Sequence, residues 1–252
     1  MTSKITIRPL LGIGNRLFAI ASAKAFADKI GAKLEIFWYR NPKILNARFE
    51  ELFHEIDNVV VTNFDTKSKD HKKLSVNDAN FDIILEPEDL LYKSLNNCYD
   101  PKIYIGKSLL FKSYSMFYKE GDLNFSIFKP SHQIEERISE ITDEFDDNTI
   151  GLHVRRTDKK KSIIHSPNDT FFDIMNKHID NNNDVNFYLA TDCNKTERFF
   201  IEKYGERIKT MNKDFSRSSN TGTIDAAVEL FVLSKAPKII GSYKSSYSAC
   251  AA

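Results

Sequence analysis

Cysteine is scarce in this chain of 252 residues: three thiols, Cys98, Cys193 and Cys250, stand far apart. An odd set of distant cysteines without ligand spacing implies no structural zinc and fits reduced thiols in a cytoplasmic protein better than a disulfide framework. Net charge is nearly absent as well, with 36 Lys and Arg against 35 Asp and Glu. That balance argues against a nucleic-acid partner, which calls for a strong basic excess. No window of the sequence approaches the roughly 20 apolar residues of a membrane span, and the short apolar stretch around Ile5 and Ile7 is too brief for a signal-peptide core. The expected location is cytoplasmic, without an integral membrane segment, and a peripheral place at the inner membrane stays open. Internal repeats and low-complexity tracts are missing too.

What is present is a core: 41% of the residues are hydrophobic and 12% aromatic, enough for one large domain or two small ones. Strand patterns at Lys4 to Leu10, Leu34 to Tyr39 and Val59 to Thr62 alternate with helical patterns at Arg16 to Ile30 and Arg48 to Phe53, a βαβ opening with Gly31 as helix stop. The middle, from Asp65 to Asn124, is polar and less regular, with extended pieces expected at Phe81 to Leu85 and Ile103 to Phe111. After Lys129-Pro130-Ser131 a helix runs through Phe145. Strands then follow at Ile150 to Arg155, Val185 to Ala190, Ile208 to Met211 and Lys238 to Ile240, and helices near Thr170 to Ile179, Lys195 to Tyr204, Thr223 to Lys235 and from Ser246 onward. The expectation is an α/β protein of two Rossmann-like domains, residues 1–128 and 129–252, with a cleft between them suited to a small molecule.

The strand Thr149 to Val154 runs directly into Arg155-Arg156-Thr157-Asp158. Alternation puts Ile150, Leu152 and Val154 on one face and Gly151, His153 and Arg155 on the other, so polar groups converge at a strand tip. Carboxyl ends of parallel strands line the ligand crevice, and two guanidiniums there suit a diphosphate. The competing reading pairs both arginines with Asp158 and Asp192 in a structural cluster. The division expected here is one arginine on the diphosphate and the other on the aspartates, with Asp158 as a catalytic group or as an arginine orienter.

Gly12-Ile13-Gly14-Asn15 lets backbone approach an anion at a helix start, or merely packs strand on helix. Gly241-Ser242-Tyr243-Lys244-Ser245-Ser246-Tyr247-Ser248 offers hydroxyls and amides to a phosphate, or simply caps a helix. Glu229, inside a mostly apolar helix, needs a donor partner; a guanine offers two adjacent N–H groups. The alternative makes Asp225 and Glu229 one solvated stripe. Lys159-Lys160-Lys161 and the residues to Asp169 read as a solvated mobile segment, with a lid as the alternative. The acidic run Asp143 to Asp147 falls at a helix end rather than a strand tip, so no metal is expected.

His153-Val154-Arg155-Arg156-Thr157-Asp158-Lys159, then Tyr188-Leu189-Ala190-Thr191-Asp192 and the Ser245-Ser246 loop, resemble in order and spacing the fucosyltransferase superfamily of α-1,6-, nodulation and protein O-fucosyltransferases. Gly12-Ile13-Gly14-Asn15-Arg16-Leu17 and Ala47-Arg48-Phe49-Glu50-Glu51-Leu52-Phe53 are similar to the amino-terminal half of bacterial members. The resemblance implies a GT-B enzyme that uses GDP-fucose as donor substrate and a glycan as acceptor, inverts the anomeric centre and needs no cofactor or metal. It assigns Arg155, with Arg156 in support, to the β-phosphate, and Asp158 to the catalytic set. His153 and Glu229 fall near the guanosine and Ser245 and Ser246 at the phosphates, with Gly14, Asn15, Arg16, Asp192 and Tyr247 as further donor contacts. Two departures stand out. Ile163 or a neighbour occupies the place of the glutamate proposed as base, and Cys193 replaces the second of two aspartates. The base therefore falls to Asp158, His165 or Asp169. Another GDP-sugar as donor and a catalytically silent nucleotide-sugar-binding protein are the rival readings, and the acceptor, linkage and oligomeric state are not encoded in any motif found.

Overall fold

The computed structural model describes residues 3–67, 80–90 and 101–252. The chain divides into two compact units, one running up to Ser131 and including Arg217–Thr223, the other made of His132–Ser216 and Ile224–Ala252.

In the first unit, β1 (Lys4–Pro9), β2 (Lys33–Arg40), β3 (Val59–Asp65), β4 (Ile83–Leu85) and β5 (Ser108–Ser113) form an all-parallel sheet in the order β3-β2-β1-β5-β4. Ile5 and Ile7 of β1 and Ile36 of β2 are completely buried, as central parallel strands require. Helix α1 (Ile13–Lys29) places Ala19, Ala21, Ala23 and Ala27 inside, small side chains that let it lie close to the sheet. Gly31 ends it at φ +65°, a conformation that favours glycine. The short α2 (Phe49–Leu52) puts Phe49 and Phe53 edge-on to Trp38, whose indole N–H donates to the Ala47 carbonyl at 2.9 Å. The expected extended piece from Ile103 to Phe111 is only half a strand. Pro101 opens a 3-10 turn through Tyr104, Gly106 reverses the chain at φ +80°, and β5 starts at Ser108. Parts of the irregular middle, residues 68–79 and 91–100, lie outside the described residues.

The second unit follows α3 (His132–Thr142) with β6 (Thr149–Val154), α4 (Lys160–His165), α5 (Asn168–Asn181), β7 (Asn186–Thr191), α6 (Asn194–Tyr204), β8 (Ile208–Lys209), α7 (Asn220–Leu233), β9 (Lys238–Gly241) and α8 (Ser246–Ala251). Its parallel sheet has the order β8-β7-β6-β9. Ile150, Leu152 and Val154 join Phe171, Phe172, Met175, Phe187, Leu189 and Phe200 in one apolar core, as alternation along β6 requires. On the other face Gly151 lets α7 close in, since a Cβ there would meet Leu233 at 3.0 Å and Ala236 at 3.2 Å. The strand order reverses direction at β6, between β7 and β9, and the carboxyl end of such a switch point opens a crevice where ligands bind.

The units are not contiguous in sequence. Segment 217–223, including the first turn of α7, is held in the first unit by Asn46, whose backbone N–H donates to Thr223 Oγ1 at 3.1 Å and whose amide donates to the Ser218 carbonyl at 2.6 Å. Asn220 returns a bond to the Asn46 carbonyl at 2.9 Å. No motif marks this excursion. Among the described residues no helix is long and apolar enough to cross a membrane.

Candidate functional site

The tips of β6 and β9 are locked together through one serine. Ser242 Oγ accepts from the Arg155 backbone N–H at 2.9 Å and donates to the His153 carbonyl at 3.0 Å, while the Ser242 N–H donates to that same carbonyl at 3.0 Å. Ser242 is buried, so removing its hydroxyl takes the acceptor from the Arg155 N–H, while the His153 carbonyl keeps the Ser242 N–H. Ser242→Ala is expected to cost about 1–3 kcal/mol, read as a lower urea midpoint at unchanged slope; an unchanged midpoint would count against the clamp. His153 is buried and stacks on Tyr247 of α8, with ring centroids 4.6 Å apart. The Tyr247 hydroxyl donates to the Ala226 carbonyl at 2.6 Å, and burial holds its pKa well above the usual tyrosine value.

The two arginines have different surroundings. Arg155 is held by Asp158, with Nε and Nη2 at 3.0 and 2.7 Å from Oδ1 and Nη2 at 3.0 Å from Oδ2; Asp192 Oδ2 lies 3.7 Å from Nε. Its Nη1 amino group takes no hydrogen bond among the described residues. Arg156 instead uses all three nitrogens on neutral acceptors: Asn168 Oδ1 at 2.9 and 2.6 Å, the Arg155 carbonyl at 2.7 Å and the Ser166 carbonyl at 2.8 Å. It lies over the Phe171 ring, and burial lowers its pKa against the pull of Asp192.

Of the two, Arg155 is the one held by an aspartate, and its Nη1 has no partner among the described residues, while Arg156 pins its loop to the start of α5. Asp192 acts mainly on backbone and hydroxyl, accepting from the Arg156 N–H at 2.7 Å and Thr157 Oγ1 at 2.6 Å. Asp158 is the arginine's orienter in this structure, both of its oxygens engaged.

Lys159 to His165 is not the loose segment expected. Residues Lys160–His165 form α4, clasped to the loop after β9 by three bonds: Lys159 Nζ to the Lys244 carbonyl, Ser162 Oγ to the Tyr243 carbonyl at 2.8 Å, and the Tyr243 N–H to Ser166 Oγ at 2.8 Å. Ser162 is completely buried, which fixes the helix in place. Lys244 sits in the left-handed region at φ +47°, a strained backbone for a lysine. The same loop carries Ser245, buried ahead of α8, its N–H donating to the Ser242 carbonyl at 3.2 Å, and Ser246, the first residue of α8.

Glu229 is buried, as is Asp225, so the solvated-stripe alternative is overturned. Its Oε1 meets Lys213 Nζ, which also stands 2.8 Å from Glu197 Oε2. Burial pushes the Glu229 carboxyl up to about 7 against the pull of Lys213. Asp225 binds Arg137 Nη2 at 2.7 Å and the Asp214 N–H at 2.7 Å. Neither Lys213 nor Glu197 carried a sequence signal, one lying in a polar connection and the other on a charged helix face.

Gly14, Asn15 and Arg16 belong to the first unit. Asn15 Nδ2 donates to the Tyr114 carbonyl at 2.6 Å, and Arg16, 2% exposed, donates from Nε to the Leu11 carbonyl at 2.9 Å and lies 4.4 Å over the Trp38 ring. Its Nη1 is buried without a partner among the described residues. Burial lowers its pKa, yet a guanidinium stays protonated in proteins, so this is a buried cation with an amino group left over.

No protein-family model and no curated protein matches the chain. Solved structures do. Fucosyltransferase NodZ from Bradyrhizobium aligns over 100% of this chain and 92% of its own, with a TM-score of 0.69 at 16% identity. An Arabidopsis thaliana FUT1 mutant in complex with GDP gives 0.64 at 13% identity, over 100% of this chain and 68% of its own. POFUT1 in complex with GDP-fucose gives 0.60 at 12% identity, over 98% and 93%. The protein has the fold of the GT-B fucosyltransferases.

Proposed function

We propose that this chain is an inverting, metal-independent glycosyltransferase that moves fucose from GDP-fucose to a sugar hydroxyl. The observation that carries the reading is Arg155: a guanidinium at a switch-point strand tip, fixed by Asp158 and Ser242, with one amino group unpaired among the described residues. Negative charge gathers on the diphosphate as the glycosidic bond breaks, and a preorganised cation stabilises it without reorganisation. Arg156 supports by fixing the backbone that aims Arg155. Ser245 and Ser246 are assigned to the phosphates, and His153, Tyr247 and Glu229 to the nucleoside side, with Asp192 as the brace beneath both arginines. Gly14, Asn15 and Arg16 are assigned as anion-binding residues of the first unit, which is taken as the acceptor side. Inversion follows from attack by the acceptor hydroxyl opposite the departing GDP. An oxocarbenium-like path asks little of a base when the hydroxyl is well placed.

The test is turnover by the full chain of a panel of GDP-fucose, other GDP-sugars and UDP-sugars, with the anomeric configuration of the product read by NMR and EDTA in parallel. GDP release from GDP-fucose alone, unaffected by EDTA and with an inverted product, is expected. A preference for another GDP-sugar would sink the donor assignment. One observation favours a second reading: Asp158 is committed to Arg155, and by the resemblance Ile163 or a neighbour takes the place of the base, as in a silent nucleotide-sugar-binding protein. That protein would bind GDP and turn over nothing on any acceptor.

A further inference from the structure

Lys213 offers one ammonium to two carboxylates, the buried Glu229 and the partly buried Glu197. Its side chain is 3% exposed, those of Glu229 and Glu197 are 7% and 14% exposed, and the three arise from different elements: the connection after β8, helix α7 and helix α6. An isolated carboxylate so deep in the fold takes up a proton rather than stay charged. Protonated, it would lose an acceptor and gain a donor. A guanine presents two N–H donors and calls for a carboxylate, each oxygen of which has two lone pairs and can serve Lys213 and a ligand together.

We propose that Lys213 is a positioning and specificity residue for the donor, acting through Glu229, which it keeps ionised and fixed for the base of the nucleotide. The inference rests on the reading of Glu229 as base acceptor given above. Among the described residues no other cation acts on Glu229. Asp225, one turn earlier on α7, adds like charge; Arg137 of α3 is taken up by Asp225. Tyr188 of β7, its buried hydroxyl without a partner among the described residues, and Tyr247 of α8 are neutral and held so by burial and then by Glu229. Glu197 of α6 is the opposing influence, since its charge favours protonation of Glu229.

The two neighbours therefore push the pH dependence of nucleotide binding in opposite directions. In the unmodified chain GDP affinity falls as pH drops through about 7. Lys213→Met moves that midpoint up by a unit or more, so GDP binds more weakly near pH 7, by about fivefold or more, and recovers at alkaline pH. Lys213→Arg restores the original profile, and Glu197→Gln moves it down. Calorimetry with GDP and with ADP from pH 5.5 to 9 on the full chain, with Glu229→Gln as reference, decides the matter. A Lys213→Met loss that is equal at every pH, or a Glu197→Gln profile that fails to move down, overturns the proposal; should Lys213→Met not fold, Glu197→Gln carries the test. Retention of the GDP-over-ADP preference in Glu229→Gln would instead overturn the reading of Glu229 itself.

Discussion

Arg155→Ala lowers transfer from GDP-fucose by about 10²–10³ in kcat or more and weakens GDP binding in step. The substitution removes the guanidinium whose Nη1 is unpaired among the described residues and whose other nitrogens are fixed on Asp158. It also leaves Asp158 without its cation at the place where a diphosphate must sit, so attraction is replaced by like-charge repulsion. Arg155→Lys should recover little, because a lysine cannot reproduce the planar fork that Asp158 holds. Arg156→Ala supplies the contrast: it unpins the loop from Asn168 and Ser166, so thermal stability falls along with activity, whereas Arg155→Ala leaves the melting temperature close to the parent's. Steady-state kinetics with both substrates, beside thermal melts of the three variants, separate these outcomes. Near-normal turnover in Arg155→Ala would falsify the assignment.

Gly241→Ala destabilises the second unit and removes nucleotide binding together. A Cβ on Gly241 would stand 2.4 Å from Ser248 Oγ and 2.5 Å from Ser248 Cβ. The hydroxyl could rotate, but the Cβ is bonded directly to the backbone of α8 and moves only with the helix. Overpacking of this kind costs about 1–3 kcal/mol. The displaced helix carries Tyr247, stacked on His153, and begins just after Ser245, so the loss of GDP binding accompanies the loss of stability. Ser248→Gly in the same chain deletes both clashing atoms and leaves Ser248 Cα at 4.0 Å, an ordinary contact. The double variant regains stability over Gly241→Ala, short of the parent by the roughly 1 kcal/mol of a glycine inside a helix. Urea unfolding of the two single variants and the double completes the cycle; a Gly241→Ala midpoint equal to the parent's would refute the clash.

The alternating strands and helices were legible because each carries its own periodicity. Ile150, Leu152 and Val154 on β6 read directly as one buried face, and the structure puts them there. Short-range polar clusters were less transparent. Lys159-Lys160-Lys161 looks like solvated chain, yet Ser162, a residue without a hydrophobic signature, anchors α4 by a bond to a residue 81 positions away. Glu229 stands out as a carboxylate in an apolar helix, but its partner Lys213 lies 16 residues earlier in a segment of no pattern. Segment 217–223 joins the first unit through Asn46, 172 residues from Ser218, a pairing no local rule anticipates.

Sequence alone determined the α/β class, the apolar face of β6 and the convergence of His153, Arg155 and Arg156 at one strand tip. These follow from backbone geometry repeating every two or 3.6 residues. Only the tertiary structure decided what each charged group faces: Asp158 on Arg155, Asn168 on Arg156, Lys213 on Glu229. Side-chain pairing is chosen by distance in space and by the cost of burying an unmatched charge, and neither is written in the order of the residues.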